Sequence, residues 1–224
     1  MIELDDERKK LLQTDDHILV LGGPGSGKTT IALCKAKHDI EKLKPFQKIL
    51  FLSFARATVV RVYKQSQGIL NTTDLKNIEI STYHAFEWKL LKSNAMLISK
   101  HPLSLLPPHE AAVLFRGLSG DDLKQATSKE FVNSGKLHFD LFASETARLL
   151  SQSDSILKLI SDLYPIIILD EFQDTSQDEW NMICSLGQYS TLVALADPEQ
   201  RIYDFRGASP ARVGEYIKLF SPSS

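Results

Sequence analysis

Two observations predict an α/β fold on a parallel sheet for this 224-residue chain. Four short runs, Ile18-Leu19-Val20-Leu21, Ile49-Leu50-Phe51-Leu52, Ile166-Ile167-Ile168-Leu169 and Leu192-Val193-Ala194-Leu195, are apolar throughout, as strands covered on both faces must be. Helical patterns separate them, and strands that alternate with helices pair in parallel through right-handed crossovers. One long stretch without strand signals, residues 91–161, reads as a small helical insertion. It divides the sheet domain into residues 1–90 and 162–224.

The first strand runs into Gly22-Gly23-Pro24-Gly25-Ser26-Gly27-Lys28-Thr29, a full match to G-x-x-x-x-G-K-[ST] in the strand-to-helix setting that the motif requires. Glycines there permit positive φ, so that successive N–H groups turn inward around an anion, and the next helix adds its positive end. The loop with Thr30 therefore reads as a nucleotide-phosphate cradle. Lys28 is placed to reach the β/γ-phosphates and the Thr29 hydroxyl to meet Mg²⁺. Ala32, Ala36, Ile40 and Leu43 have helical spacing, and Pro45 closes that helix. After the second strand, Thr58-Val59-Val60-Arg61-Val62 begins another helix, and the alternating Ile78-Glu79-Ile80-Ser81 reads as a third strand.

Within the insertion, Glu110 to Phe115 and the run from Thr146 to Leu163 are amphipathic, Pro102, Pro107 and Pro108 break the pattern, and Gly117 and Gly120 flank a turn. The aliphatic run that follows ends in Asp170-Glu171, at the carboxyl end of a strand, where open α/β sheets bind ligands. Asp170 is assigned to the metal and Glu171 to the attacking water. Next, Thr175 or Ser176 caps a helix, with Asp178 or Glu179 completing a capping box, and Gly187 ends it. Ser221-Pro222-Ser223-Ser224 reads as a frayed end.

Composition narrows the class further. With 43% hydrophobic residues, 24% charged residues and a net charge of −2, the chain is that of an ordinary soluble protein, and any nucleic-acid contact must come from a local groove. The two cysteines, Cys34 and Cys184, have neither metal-ligand spacing nor a disulfide framework. No apolar stretch is long enough to span a bilayer and the charged start is unlike a signal peptide, so a cytoplasmic location is expected.

The ordered motifs closely resemble those of UvrD/Rep-like superfamily 1 DNA helicases, in the first of their two RecA-like motor domains. Beside the phosphate loop, Ser53-Phe54-Ala55-Arg56-Ala57, Ser81-Thr82-Tyr83-His84-Ala85-Phe86 and Asp170-Glu171-Phe172-Gln173-Asp174-Thr175 match successive family motifs. Ala196 to Ala208, with Gln200 and Ile202-Tyr203-Asp204-Phe205-Arg206-Gly207-Ala208, resembles a further one. The resemblance implies a RecA-like P-loop NTPase domain that binds ATP with Mg²⁺ and couples its hydrolysis to 3′-to-5′ movement on single-stranded DNA. It implies catalytic roles for Lys28, Glu171 and Gln200, the last as γ-phosphate sensor, and a place for Gln173 and Asp174 beside water and metal, as ligands or as braces. For DNA it points to Phe54, Arg56, Thr82, Tyr83, His84, Phe205 and Arg206, aromatic faces stacking on bases without regard to sequence. Arg56 and Arg206 have a second reading as braces for acids, and His84 as a structural hydrogen-bonding residue; Trp88 and Trp180 read as packing residues.

Two departures qualify the resemblance. Arg8 stands where the family's adenine-reading glutamine is expected, and arginine has donors only. The motifs of a second motor domain, with its arginines, are not in the sequence, so a fragment of a longer helicase is expected, hydrolysing slowly alone. A nucleotide-binding regulatory module of a repair or defence system is the rival reading; intact Glu171 and Gln200 disfavour it.

Overall fold

Period-two alternation with apolar residues on both sides leaves a strand no wet face, so each strand must be sandwiched between helices. The computed structural model of the chain describes residues 6–197 and 211–223, the side chains of residues 6–8 excepted. The Arg8 side chain and Gln200, Phe205 and Arg206 therefore lie outside the described residues. Helix α1 (Asp6–Gln13) leads into β1 (Ile18–Leu21), the glycine loop and α2 (Lys28–Ile40), followed by β2 (Ile49–Ser53), α3 (Arg56–Gln67), β3 (Ile78–Thr82) and α4 (Tyr83–Ser93). The chain continues through α5 (Ala95–Ile98), β4 (Ser104–Leu105), α6 (Pro108–Leu114), α7 (Gly120–Ser134) and β5 (Lys136–Leu137). Helices α8 (Phe142–Gln152) and α9 (Asp154–Leu163) return the chain to β6 (Ile166–Leu169), which is followed by α10 (Gln177–Leu186), β7 (Thr191–Ala196) and α11 (Arg212–Phe220).

The main sheet has the order β1-β7-β6-β2-β3, and every pairing in it is parallel. Its two faces build two cores. Ile18, Val20, Ile49, Phe51, Ile168, Val193 and Leu195 pack with Ile31, Leu33, Ala36 and Val62 of α2 and α3. The residues between them, Leu19, Leu50, Leu52, Ile167, Leu169, Leu192 and Ala194, pack with α4, α8, α9, α10 and α11.

The span 91–161 falls into two parts. Leu149, Leu150, Ile156, Leu157 and Ile160 belong to the same core as the sheet, so α8 and α9 are flanking helices of the sheet. The stretch from α5 to β5 joins that core through Phe131 and Leu137, and a two-residue parallel pairing ties Ser104-Leu105 to Lys136-Leu137. Such short strands leave no periodic signal to read. The run from Thr146 to Leu163 is broken at Ser153, whose side chain caps α9 by accepting from the Ile156 N–H at 3.4 Å. At α10 the capping alternatives resolve to Ser176 and Glu179, which form a reciprocal box, while the Thr175 hydroxyl donates to the Phe172 carbonyl. The expected frayed end is corrected: Ser223 donates to the His17 carbonyl at 2.9 Å and accepts from the Leu19 N–H at 3.0 Å, adding a bridge beside β1. An edge strand with unpaired backbone groups recruits such partners.

A buried ion pair locks the front of the domain. Lys35, 1% exposed, holds Asp39, 2% exposed, at 2.8 Å, and its Nζ also donates to the Leu12 carbonyl at 3.0 Å and the Thr14 carbonyl at 2.7 Å. One ammonium thus ties the segment before β1 to the helix that backs the glycine loop. Lys35→Ala leaves the Asp39 carboxylate in the interior with only Lys42, 3.6 Å away, for compensation. It is expected to destabilise the fold by about 3 kcal/mol, read as a lower urea midpoint with an unchanged slope.

Candidate functional site

Because all five strands of the main sheet run the same way, their carboxyl ends share one edge, and the sequence motifs hang from that edge. The glycine loop follows β1, Phe54 and Arg56 follow β2, Thr82 ends β3 with Tyr83 and His84 after it, Asp170 to Asp174 follow β6, and Asp197 follows β7. Three backbone and side-chain bonds stitch the edge together. The Gly22 N–H donates to the Ala196 carbonyl at 3.1 Å, the Asp170 N–H to the Leu52 carbonyl at 2.9 Å, and the Ser53 hydroxyl to the Asp170 carboxylate at 3.0 Å.

The glycine loop has the geometry that its composition predicts. Gly25 and Gly27 have φ of 75° and 87°, positions that strain any other residue. At Gly22 a Cβ would approach the Ser26 hydroxyl to 2.5 Å, so the loop closes on itself only with glycine there. Lys28 begins α2 and bends back over the loop, its Nζ donating to the carbonyls of Gly22 and Gly23. The helix has no side-chain cap, and its first N–H groups open toward the loop.

These residues enclose a cleft of about 370 Å³ lined by residues 23–30 of the loop, by Arg61 and Gln65 of α3, and by Asp170, Glu171 and Asp197. Asp170 is 4% exposed. Burial, then repulsion from Glu171, pushes its carboxyl up to about 6, and the Ser53 hydrogen bond and the charges of Arg61 and Lys28 oppose the rise. Glu171 holds a left-handed backbone, φ 49° and ψ 43°, which costs a non-glycine residue about 1 kcal/mol or more. Its carboxylate accepts from Gln173 Nε2 at 2.8 Å, and Gln173 Oε1 accepts the Asp197 N–H at 3.1 Å. That backbone donor fixes which end of the amide faces Glu171. Gln173 is thus a bracket between the β6 and β7 turns and is not part of the cleft lining.

The chemistry of this donor set fits a magnesium nucleotide. A buried carboxylate with one hydroxyl donor, opposite a nest of N–H groups and a lysine, offers oxygen to a hard cation and positive charge to phosphates. Ser53, Arg61, Gln65 and Asp197 are site residues that the sequence reading did not single out. Ser53 and Asp197 sit at strand ends within the quoted motifs, which was an available signal; the two α3 residues become neighbours of the loop only through folding.

Residues proposed for DNA are distributed unequally. Arg56 is exposed at the first position of α3, and Phe54 and His84 are half-buried. Thr82 caps α4, accepting from the Ala85 N–H at 3.2 Å. Tyr83 is corrected: at 0% exposure it is a core residue. Its ring stacks beneath Phe54 with centroids 4.6 Å apart, so it supports a stacking surface and offers none of its own. His84 stands edge-on to Phe139 and Phe142. Phe139, 42% exposed just after β5, extends this aromatic ledge and was not read from sequence. Trp180 is buried and Trp88 stacks on Phe142, as packing residues do. No helix among the described residues is long and apolar enough to cross a membrane.

The raised Asp170 carboxyl sets a pH dependence. The unfolded carboxyl ionises at its ordinary, lower value, so folding opposes the charged form, and stability falls as pH rises from about 4 through about 6. Asp170→Asn removes this opposition. Without nucleotide the variant is expected to be more stable than the parent by up to about 3 kcal/mol at pH 7.5, with the gain shrinking toward pH 4.5. Urea unfolding at both values checks the sign.

Comparison with known proteins gives this architecture its relatives. The chain is 24% identical to DNA helicase II of Rickettsia typhi over 99% of its own length and 41% of the relative's. It is 22% identical to DNA helicase II of Escherichia coli over 96% of its length and 36% of the relative's, and 21% identical to the ATP-dependent DNA helicase PcrA of Leuconostoc citreum over 92% and 34%. The chain therefore spans little more than a third of the length of the curated relatives it matches. A family model described as the UvrD/REP helicase N-terminal domain matches residues 4–134 and 121–221. Those matches take in the glycine loop, the acidic turn and all five strands of the main sheet, and the chain belongs to the UvrD/REP helicase N-terminal domain family.

Proposed function

We propose that this chain is the ATP-binding half of a DNA-translocating motor, coupling Mg²⁺-dependent ATP hydrolysis to movement on single-stranded DNA. The observation that carries this reading is the single cleft that brings Lys28 and Thr29 together with Asp170 and Glu171 across some 140 residues of sequence. Membership of the helicase family and the names of its relatives support the DNA-dependent part.

Each residue has a derived task. The loop N–H groups and the start of α2 bind phosphate oxygens, and Lys28 exchanges its bonds to the Gly22 and Gly23 carbonyls for the β/γ-phosphates. Thr29 and Asp170 hold the metal, with Ser53 keeping the Asp170 carboxylate aimed. Glu171 orients and deprotonates water, and Gln173 keeps that carboxylate in place. Bound MgATP supplies the transferable phosphoryl group and the free energy of its hydrolysis. Phe54, with Tyr83 beneath it, and His84 face the bases, and Arg56 faces the DNA backbone. By resemblance, Gln200 senses the γ-phosphate, Phe205 and Arg206 complete the DNA face, and movement runs 3′ to 5′. A second RecA-like domain outside this sequence would supply the arginines that speed hydrolysis and the partner surface against which the cleft closes. A cytoplasmic location, and a role in DNA repair, accord with this reading.

Binding of a fluorescent ATP analogue with Mg²⁺ and ATP turnover, measured with and without oligo-dT, test the proposal. Lys28→Ala is expected to weaken nucleotide binding about 10- to 100-fold. Glu171→Gln should keep binding within about threefold while stopping turnover. Undiminished affinity in the Lys28 variant would remove the assigned site.

A further inference from the structure

The charges around the cleft do not balance for an anionic ligand. Three of its lining residues are acids, Asp170, Glu171 and Asp197, against two cations, Lys28 and Arg61. A nucleotide tail adds several negative charges, and one divalent metal offsets only part of them. A second cation on the protein side is needed to hold the terminal phosphates beside those carboxylates.

Arg61 is placed for that task. It lies on α3 and lines the cleft together with the glycine loop, and its positive charge reaches the Asp170 carboxylate. The neighbouring Val62 is fully buried and anchors the helix under it, while the Arg61 side chain stays exposed. Among the described residues no ion pair or hydrogen bond of the Arg61 guanidinium is formed, in contrast to Arg148 and Arg212, which are both engaged by glutamates. Gln65, one turn further on the same face, also lines the cleft and carries both a donor and an acceptor. An unengaged guanidinium has the planar fork that suits phosphate oxygens.

We propose that Arg61 is a phosphate-binding residue supplied by α3, gripping the terminal phosphate of the nucleotide together with Lys28. This rests on the nucleotide-binding reading of the cleft and extends it to a residue outside the glycine loop and the acidic turn. The assignment is to the γ-phosphate because Arg61 lines the same cleft as Asp170 and Glu171, the acids assigned to the metal and the attacking water. Arg61 shares a helix with Arg56. The two are five residues, about 7.5 Å, apart along the axis, so one rigid element touches both the nucleotide cleft and the DNA-facing loop.

The test is equilibrium binding of fluorescent ATP and ADP analogues, each with Mg²⁺, to the parent chain and to Arg61→Ala, Arg61→Lys and Lys28→Ala, with circular dichroism and urea unfolding to confirm folding. Arg61→Ala is expected to lose about 10-fold or more in ATP affinity and no more than about twofold for ADP. Arg61→Lys should recover part of the ATP loss, because charge is kept and the fork is not. Equal losses for ATP and ADP, or an ATP affinity within twofold of the parent, would overturn the assignment. The Lys28 variant separates the two levels of the argument. If it loses both nucleotides while Arg61→Ala loses neither, Arg61 is excluded and the cleft stands; if it loses neither, the cleft reading itself fails.

Discussion

The position of β6 between β2 and β7 is the constraint on which the site depends. Parallel pairing on both sides gives this short strand a fixed register, Ile168 opposite Phe51 and Val193, and brings its carboxyl end level with theirs. A slip of one residue would turn Ile167 and Leu169 onto the wrong core and move Asp170 away from Ser53. Hydrophobic burial on two faces thus sets the geometry of a polar site at one end. Nothing in the loop chemistry alone could bring Gly22 and Asp170 together, since 147 residues separate them in sequence.

That site is held against local preference. Asp170 is ionised at neutral pH in a place where burial and Glu171 oppose the charge. Glu171 keeps a backbone conformation suited to glycine, and Lys28 folds back onto the Gly22 and Gly23 carbonyls. The buried charge and the left-handed backbone cost free energy in the protein by itself, the pattern expected where a site is shaped by binding more than by stability. The surrounding scaffold tolerates it because Gln173 and the two cores over-determine the turns. Gln173 illustrates the division of labour, since its amide satisfies a carboxylate and a backbone N–H at once without lining the cleft.

Much of this was legible in the sequence where a local rule decides the structure. The central strands were readable because two buried faces demand unbroken aliphatic runs, the glycine loop because positive φ demands glycine, and the start of α10 because Ser176 and Glu179 satisfy each other. Features decided by distant partners were not. Tyr83 sits in a motif associated with bases, yet its burial depends on Phe54 above it and on the packing of α4 against α8, neither of which spacing reveals. Arg61 looks like any solvated helix cation until α3 is seen against the glycine loop. The pairing of Ser223 beside β1 depends on where α11 delivers the chain.

Tyr83 joins the two halves of the molecule's edge. Its ring supports Phe54, the aromatic that follows β2, while burial, and after it the charges of Glu179, Asp170, Glu87 and Asp174, hold the phenol well above its ordinary range. A change of charge at Asp170 is therefore felt at a residue that carries the proposed base-stacking surface, across packed side chains with no loop between them. Phe54 and Arg56, which follow β2, and Ser53, which ends it, belong to one continuous segment whose last strand residue bonds Asp170. Asp170, the acid assigned to the metal, is thus linked to the Phe54 segment through Ser53 as well as through the field at Tyr83. On the proposed reading, nucleotide and DNA would be coupled through the carboxyl ends of β2 and β6, which Ser53 and Asp170 join.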